Sequence, residues 1–146
     1  MTTIKTETNV RQAVPLYWVR DMDTSLRFYV DGLGCRMTEQ WVDGGGKLRW
    51  CWLELGSAAV MLQEFWKEGQ HRNVPNSPVG LGVSMNFICS DALALYREFH
   101  GRGLAPKRPF VGNKMWVTEV IDPDGYQLAF ESPTDVAEET VLSDDA

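Results

Sequence analysis

The sequence predicts an α+β fold made of two tandem βαβββ modules, residues 13–65 and 81–132, joined by a linker at 66–80. Three observations predict it. A strand–Asp–helix–Gly unit occurs twice, at 14–34 and at 84–104. Each copy is followed by three β-rich segments with turn residues between them. A polar, proline-containing stretch separates the copies. Repetition of a whole supersecondary unit predicts two sheets of like build related by pseudo-symmetry.

The elements follow in order. VPLYWVR (14–20) is rich in β-formers and reads as a strand. In DMDTSLRFYVDGLG, Asp21 or Asp23 can cap a helix whose apolar face is Leu26, Tyr29, Val30 and Leu33, and Gly34 stands where that helix stops. CRMTEQWV (35–42), KLRWCWLEL (47–55) and AAVMLQEF (58–65) read as strands, turned by Gly44-Gly45-Gly46 and by Gly56-Ser57. In the second half, GVSMNFICS (82–90) is a strand. Asp91 caps a helix with Ala92, Leu95, Tyr96 and Phe99 on one face, and Gly103 ends it. Strands near 105–112, 115–121 and 126–131 complete the set.

Composition sets outer bounds. Of the 146 residues, 44% are hydrophobic and 23% charged, ordinary for a globular domain. No apolar run approaches the length of a membrane span, and the polar N-terminus has no secretory apolar region, so a cytoplasmic location is expected. The odd cysteine count, Cys35, Cys51 and Cys89, predicts reduced thiols rather than a disulfide framework. The net charge of −6 owes five acidic residues to the segment after Thr134, and residues 133–146 are expected to form a disordered acidic tail. No basic stripe points to nucleic acid.

RDMDTSLRFYVDGLG resembles the first helix of the glyoxalase/bleomycin-resistance/dioxygenase (vicinal oxygen chelate) superfamily, and IDPDGYQLAFE resembles that family's last hairpin. The likeness spans residues 13–132. It implies curved mixed sheets around a cavity with helices outside, and in many members a homodimer. It also implies a divalent metal held by His, Gln or Glu from the first and last strand of each module. Carried over by count from the capping Asp and the turn glycine, those positions are Val14, Met61, Ser84 and Ala129. Such side chains do not serve as a set of ligands for such an ion, which needs several carboxylate or imidazole donors. His71 falls in the linker and His100 late on a helix, so both are expected at the surface. No metal, cofactor or catalytic residue is therefore nominated. A relocated metal on Gln63, Glu54 or Glu131 would instead make a lyase, isomerase or dioxygenase, and a filled interior would make a plain assembly module.

Strand alternation identifies the cavity face. On the first strand this face is Val14, Leu16 and Trp18, and pairing Leu55 with Ala58 puts Trp50, Trp52 and Glu54 beside Ala59, Met61 and Gln63. Pairing Ile121 with Tyr126 adds Trp116, Thr118 and Val120 beside Gln127, Ala129 and Glu131, with Ser84, Asn86 and Ile88 on the neighbouring strand. The nominated ligand-binding set is Leu16, Trp18, Trp50, Trp52, Gln63, Asn86, Trp116, Thr118 and Glu131. Flat indoles with a few polar groups suit an aromatic or amphipathic small molecule. The resemblance is nearest to the metal-free bleomycin-resistance branch, which implies antibiotic capture by sequestration in a homodimer, without a membrane or nucleic-acid partner.

Overall fold

The computed structural model describes residues 8–143. Two four-stranded mixed sheets form. The first has the order β1–β4–β3–β2, from β1 (Leu16–Val19), β2 (Arg36–Val42), β3 (Leu48–Leu55) and β4 (Ala58–Glu64). The second has the order β5–β8–β7–β6, from β5 (Ser84–Ile88), β6 (Phe110–Gly112), β7 (Met115–Ile121) and β8 (Gln127–Pro133). In each, the first strand lies parallel to the last and the other pairs are antiparallel. The two halves therefore share one topology, as the repeat requires.

The repeat extends to hydrogen-bond chemistry. Helix α1 (Met22–Leu26) is capped by Asp21, whose carboxylate accepts from the Asp23 and Thr24 amides. Helix α2 (Ala92–Gly101) is capped by Asp91, which accepts from Ala94. The first amide of each helix is then satisfied by a side chain near the end of the module's last strand. Glu64 Oε2 accepts from Met22 and Ser132 Oγ from Ala92, both at 2.8 Å. These bonds answer the orphan donors of a helix start and seat each helix on its own sheet.

Gly34 stands one residue further from Asp21 than Gly103 stands from Asp91. The first helix absorbs that residue by widening over Arg27–Gly32, where Leu33 donates to Phe28 O across five residues. Both glycines end their helices at positive φ, 92° and 87°.

The core lies on the helix side of both sheets. Tyr17, Val19, Leu53 and Leu62 of the first sheet join Val120, Leu128 and Phe130 of the second, with Tyr29 and Phe99 from the helices, in one buried cluster. The modules are tied by specific contacts as well. The Tyr17 and Tyr126 rings stack at 3.9 Å, Tyr126 donates to Trp18 O, and Tyr29 donates to Asp122 Oδ2 at 2.8 Å. The linker is pinned to the body, since Arg20 donates to Pro75 O and Ser77 O. A Cβ on Gly80 would come within 2.7 Å of the Gly125 backbone.

The sheets do not close on each other around a shared cavity within the chain. Their helix faces are turned toward one core, so their other faces look outward. The acidic tail also departs from expectation over its described part. β8 runs on to Pro133, and residues 139–142 lie antiparallel along β6. Val111 donates to Thr140 O, and Glu139 and Leu142 donate to Val111 O and Pro109 O. Leu142 is buried. The composition is acidic, but Leu142 and the open edge of β6 give the segment a place to pack. Residues 144–146 lie outside the described part.

Candidate ligand site

The outward face of the first sheet carries Trp50, Trp52, Met61 and Gln63, as the Leu55–Ala58 pairing requires, together with Leu16 and Trp18 of β1. Leu16 stands opposite Met61, Trp18 and Trp50 opposite Gln63, and Trp52 opposite Met61. A fourth indole joins them, because Trp41 of β2 pairs with Trp50 and is 52% exposed. Trp52 Nε1 donates to Glu54 Oε2 at 3.0 Å, and Arg36 lies 3.9 Å from the same carboxylate. The result is an open wall of aromatic rings with one amide and one tethered carboxylate.

The outward face of the second sheet carries Ser84, Asn86 and Ile88 opposite Gln127, Ala129 and Glu131. Its other half requires a correction. β7 pairs Ile121 with Gln127, not with Tyr126, so Val117 and Glu119 stand beside Glu131 and Ala129. Trp116, Thr118 and Val120 turn to the helix side. Thr118 is fully buried there and donates to Ala92 O at 2.7 Å. The physical reason is the turn. Asp122 and Tyr126 themselves pair, Asp122 N donating to Tyr126 O, and only Pro123, Asp124 and Gly125 loop between them. Gly125 takes the positive φ, 94°, that such a three-residue hairpin needs. A slip of one residue exchanges the faces. Trp116 and Thr118 therefore leave the candidate site.

A cavity of about 300 Å³ opens on this face, lined by Ser84, Phe110, Val117, Glu119, Ala129 and Glu131 among others. Phe110, Val117 and Glu119 were missed by the sequence reading. Glu119 did carry a signal, since a charge in an otherwise apolar strand favours the open face. Its partner is Lys107, 3.6 Å away. A larger cavity, about 620 Å³, lies between the modules, bounded by the β3–β4 turn, by β5 and by α2. Of the nominated residues it touches only Asn86. Within one chain the indole wall and the Glu131 cavity thus remain separate.

The donor chemistry does not fit a divalent ion. Val14, Met61, Ser84 and Ala129 offer a single hydroxyl among them. Glu54 and Gln63 share a face but sit about 13 Å apart by strand rise, since Glu54 pairs with Ala59. Glu131 lies on the other sheet. Among the described residues no three His, Cys, Asp or Glu side chains are grouped to hold a metal. His71 and His100 are both exposed. Burial pushes the Cys35 thiol up to about 12 and the Cys51 thiol up to about 11, so both stay neutral and inert at ordinary pH. No described helix is long and apolar enough to cross a membrane.

Comparison with known proteins adds the context. The family model of the Glyoxalase/Bleomycin resistance protein/Dioxygenase superfamily matches residues 11–130. No curated protein sequence matches the chain. Among solved structures, a glyoxalase/bleomycin resistance protein/dioxygenase from Nocardioides superimposes with a TM-score of 0.66 at 14% identity, covering 94% of this chain and 93% of that one. TnmS3, an antibiotic binding protein from Streptomyces sp. CB03234, gives 0.60 at 18%, covering 88% and 100%. TioX from Micromonospora sp. ML1 gives 0.64 at 17%, covering 84% and 99%. At these identities the likeness is one of fold.

Proposed function

We propose, from the premise that this chain belongs to the Glyoxalase/Bleomycin resistance protein/Dioxygenase superfamily, that it is a metal-independent binding protein. It sequesters an aromatic or amphipathic, antibiotic-like small molecule and performs no chemistry on it. The observation that carries this reading is the indole wall. Trp18, Trp41, Trp50 and Trp52 share one outward face of the first sheet, and none of them is buried. An exposed apolar patch of that kind marks a surface with a partner or a ligand. The wall supplies stacking area, Gln63 and Glu54 supply polar anchors, and Asn86, Glu119 and Glu131 on the second sheet supply hydrogen bonds and negative charge. The superfamily includes metal enzymes, but the donor set here favours capture over catalysis. The likeness to an antibiotic binding protein is in keeping with this reading.

The reading includes a homodimer. A second copy would set the second-sheet face of one chain against the indole wall of the other and close a cleft that neither has alone. β1 and β5, one edge strand of each sheet, would adjoin across the interface.

Titration with bleomycin-type compounds, followed by tryptophan emission, tests the reading. Micromolar ligand should quench or shift the emission, and Trp50→Ala with Trp52→Ala should weaken binding by about 2 kcal/mol or more. Emission that stays flat at large ligand excess rejects drug capture.

A further inference from the structure

The second-sheet cavity has one wall that is hydrogen-bonded to a later part of the chain. That wall is the β6–β7 hairpin, which contributes Phe110, Gly112 and Asn113. β6 is only three residues long and lies at the edge of its sheet. Gly112 pairs with Met115, so Asn113 and Lys114 form a two-residue turn, and both have positive φ, 53° and 65°. Turns of this kind favour Asn-Gly. A Lys at the second position carries a cost that neighbouring structure must offset.

Residues 134–142 provide the offset. Thr134 N donates to Lys114 O at 3.0 Å. The Glu138 carboxylate accepts the Asn113 amide on one oxygen and the Lys114 amide, at 3.2 Å, on the other. Successive amides in a left-handed turn form a concave donor pair suited to an anion. The chain then doubles back along β6, bonding both polar groups of Val111 and the Pro109 carbonyl, and the Arg108 guanidinium donates to Leu142 O.

We propose that residues 134–142 act as a strap that holds the β6–β7 hairpin in place as the outer wall of the second-sheet cavity, with Glu138 as the positioning residue that latches it. The strap touches the hairpin and not the cavity, so its effect on a ligand passes through Phe110 and Asn113. This inference rests on the binding role given above to that cavity.

The test uses the full chain, its Glu138→Ala and Glu138→Gln variants, and the probe N-phenyl-1-naphthylamine, an apolar aromatic amine that fluoresces when sheltered from water. Hydrogen exchange at the Val111, Asn113 and Lys114 amides should quicken about tenfold in the alanine variant while β8 amides keep their protection. Probe affinity should fall about fivefold in parallel, since wall and ligand are linked. The glutamine variant, which keeps one acceptor oxygen, should stay within about threefold of the native chain in both readouts. Exchange that quickens equally over the whole sheet, a glutamine variant as impaired as the alanine one, or unchanged probe affinity in the alanine variant each overturns the strap while leaving sequestration standing. A native chain blind to the probe removes the binding role itself and the strap's function with it.

Discussion

Asp122 is a carboxylate kept in the protein interior by three partners, and its backbone is tied as well. Its Oδ1 accepts the amides of Asp124 and Tyr126 at 2.9 and 2.8 Å, its Oδ2 accepts the Tyr29 hydroxyl, and its backbone carbonyl accepts the Gly125 amide. Burial pushes its carboxyl above the usual range, and the three bonds to its oxygens only partly counter this. The folded chain then holds a proton at pH values where the unfolded chain has lost it. Stability therefore falls as pH rises from the ordinary carboxylate value through the raised one. Asp21 has the opposite sign. The Thr24 amide, its largest influence, holds its carboxyl low. Its stabilisation is present above the ordinary value and lost as pH falls through the lowered one. The two windows lie on either side of the same reference. A series of urea unfolding curves from about pH 4 to about pH 7 should show a decline toward neutrality in the native chain that is shallower in Asp122→Asn. An identical slope in both would remove Asp122 as its source. Tyr29→Phe, which leaves Asp122 one donor short, should cost about 1–2 kcal/mol at neutral pH.

At the level of strands and helices, legibility followed turn chemistry. The Gly56-Ser57 turn is a two-residue loop whose register was counted correctly, and Trp50, Trp52, Glu54, Met61 and Gln63 stand on the open face with Leu16 and Trp18, while Val14 falls before β1. The Asp122–Gly125 turn looks like a four-residue loop and is a three-residue one, because Asp122 and Tyr126 pair. Alternation in MWVTEVI is a weak guide, since both of its faces are apolar apart from Thr118 and Glu119, and only the charge of Glu119 marks the open one. The capping aspartates and terminal glycines were readable from local sequence. The widened turn of the first helix was visible only as an extra residue before Gly34, and the tail's packing depended on an edge strand far away in sequence. The corrected register makes a paired forecast. Thr118→Val strips a buried hydroxyl from Ala92 O and should destabilise by about 1 kcal/mol. Glu119→Gln on the open face should stay within about 0.5 kcal/mol of the native chain. Thermal or urea unfolding of both variants decides it, and a reversed order would restore the other register.

For the molecule as a whole, the unresolved tension is between a single core and two faces turned away from it. Leu16, Trp41, Ile88 and Ile121 stand on those outward faces at 37%, 52%, 70% and 49% exposure. A chain that buried all its function internally would have no reason to keep these positions apolar. Scattered apolar residues at a surface are ordinary, and the proposed dimer is what would cover these four. β5 has a neighbour on one side only, and Ile88 lies at its end, next to the large intermodule cavity. Two-fold pairing would use both faces of each copy at once, because a self-complementary contact repeats every interaction. It would build two clefts, each with an indole wall from one chain and Glu131 from the other. Sedimentation at micromolar concentration should then find a dimer, and Ile88→Lys should shift it toward monomer while leaving the far-ultraviolet circular dichroism unchanged. The same variant should lose most of the ligand-induced change in tryptophan emission, because breaking the pair also opens both clefts. A native chain that sediments as a monomer and still binds its ligand would confine the site to one face and dismiss the shared cleft.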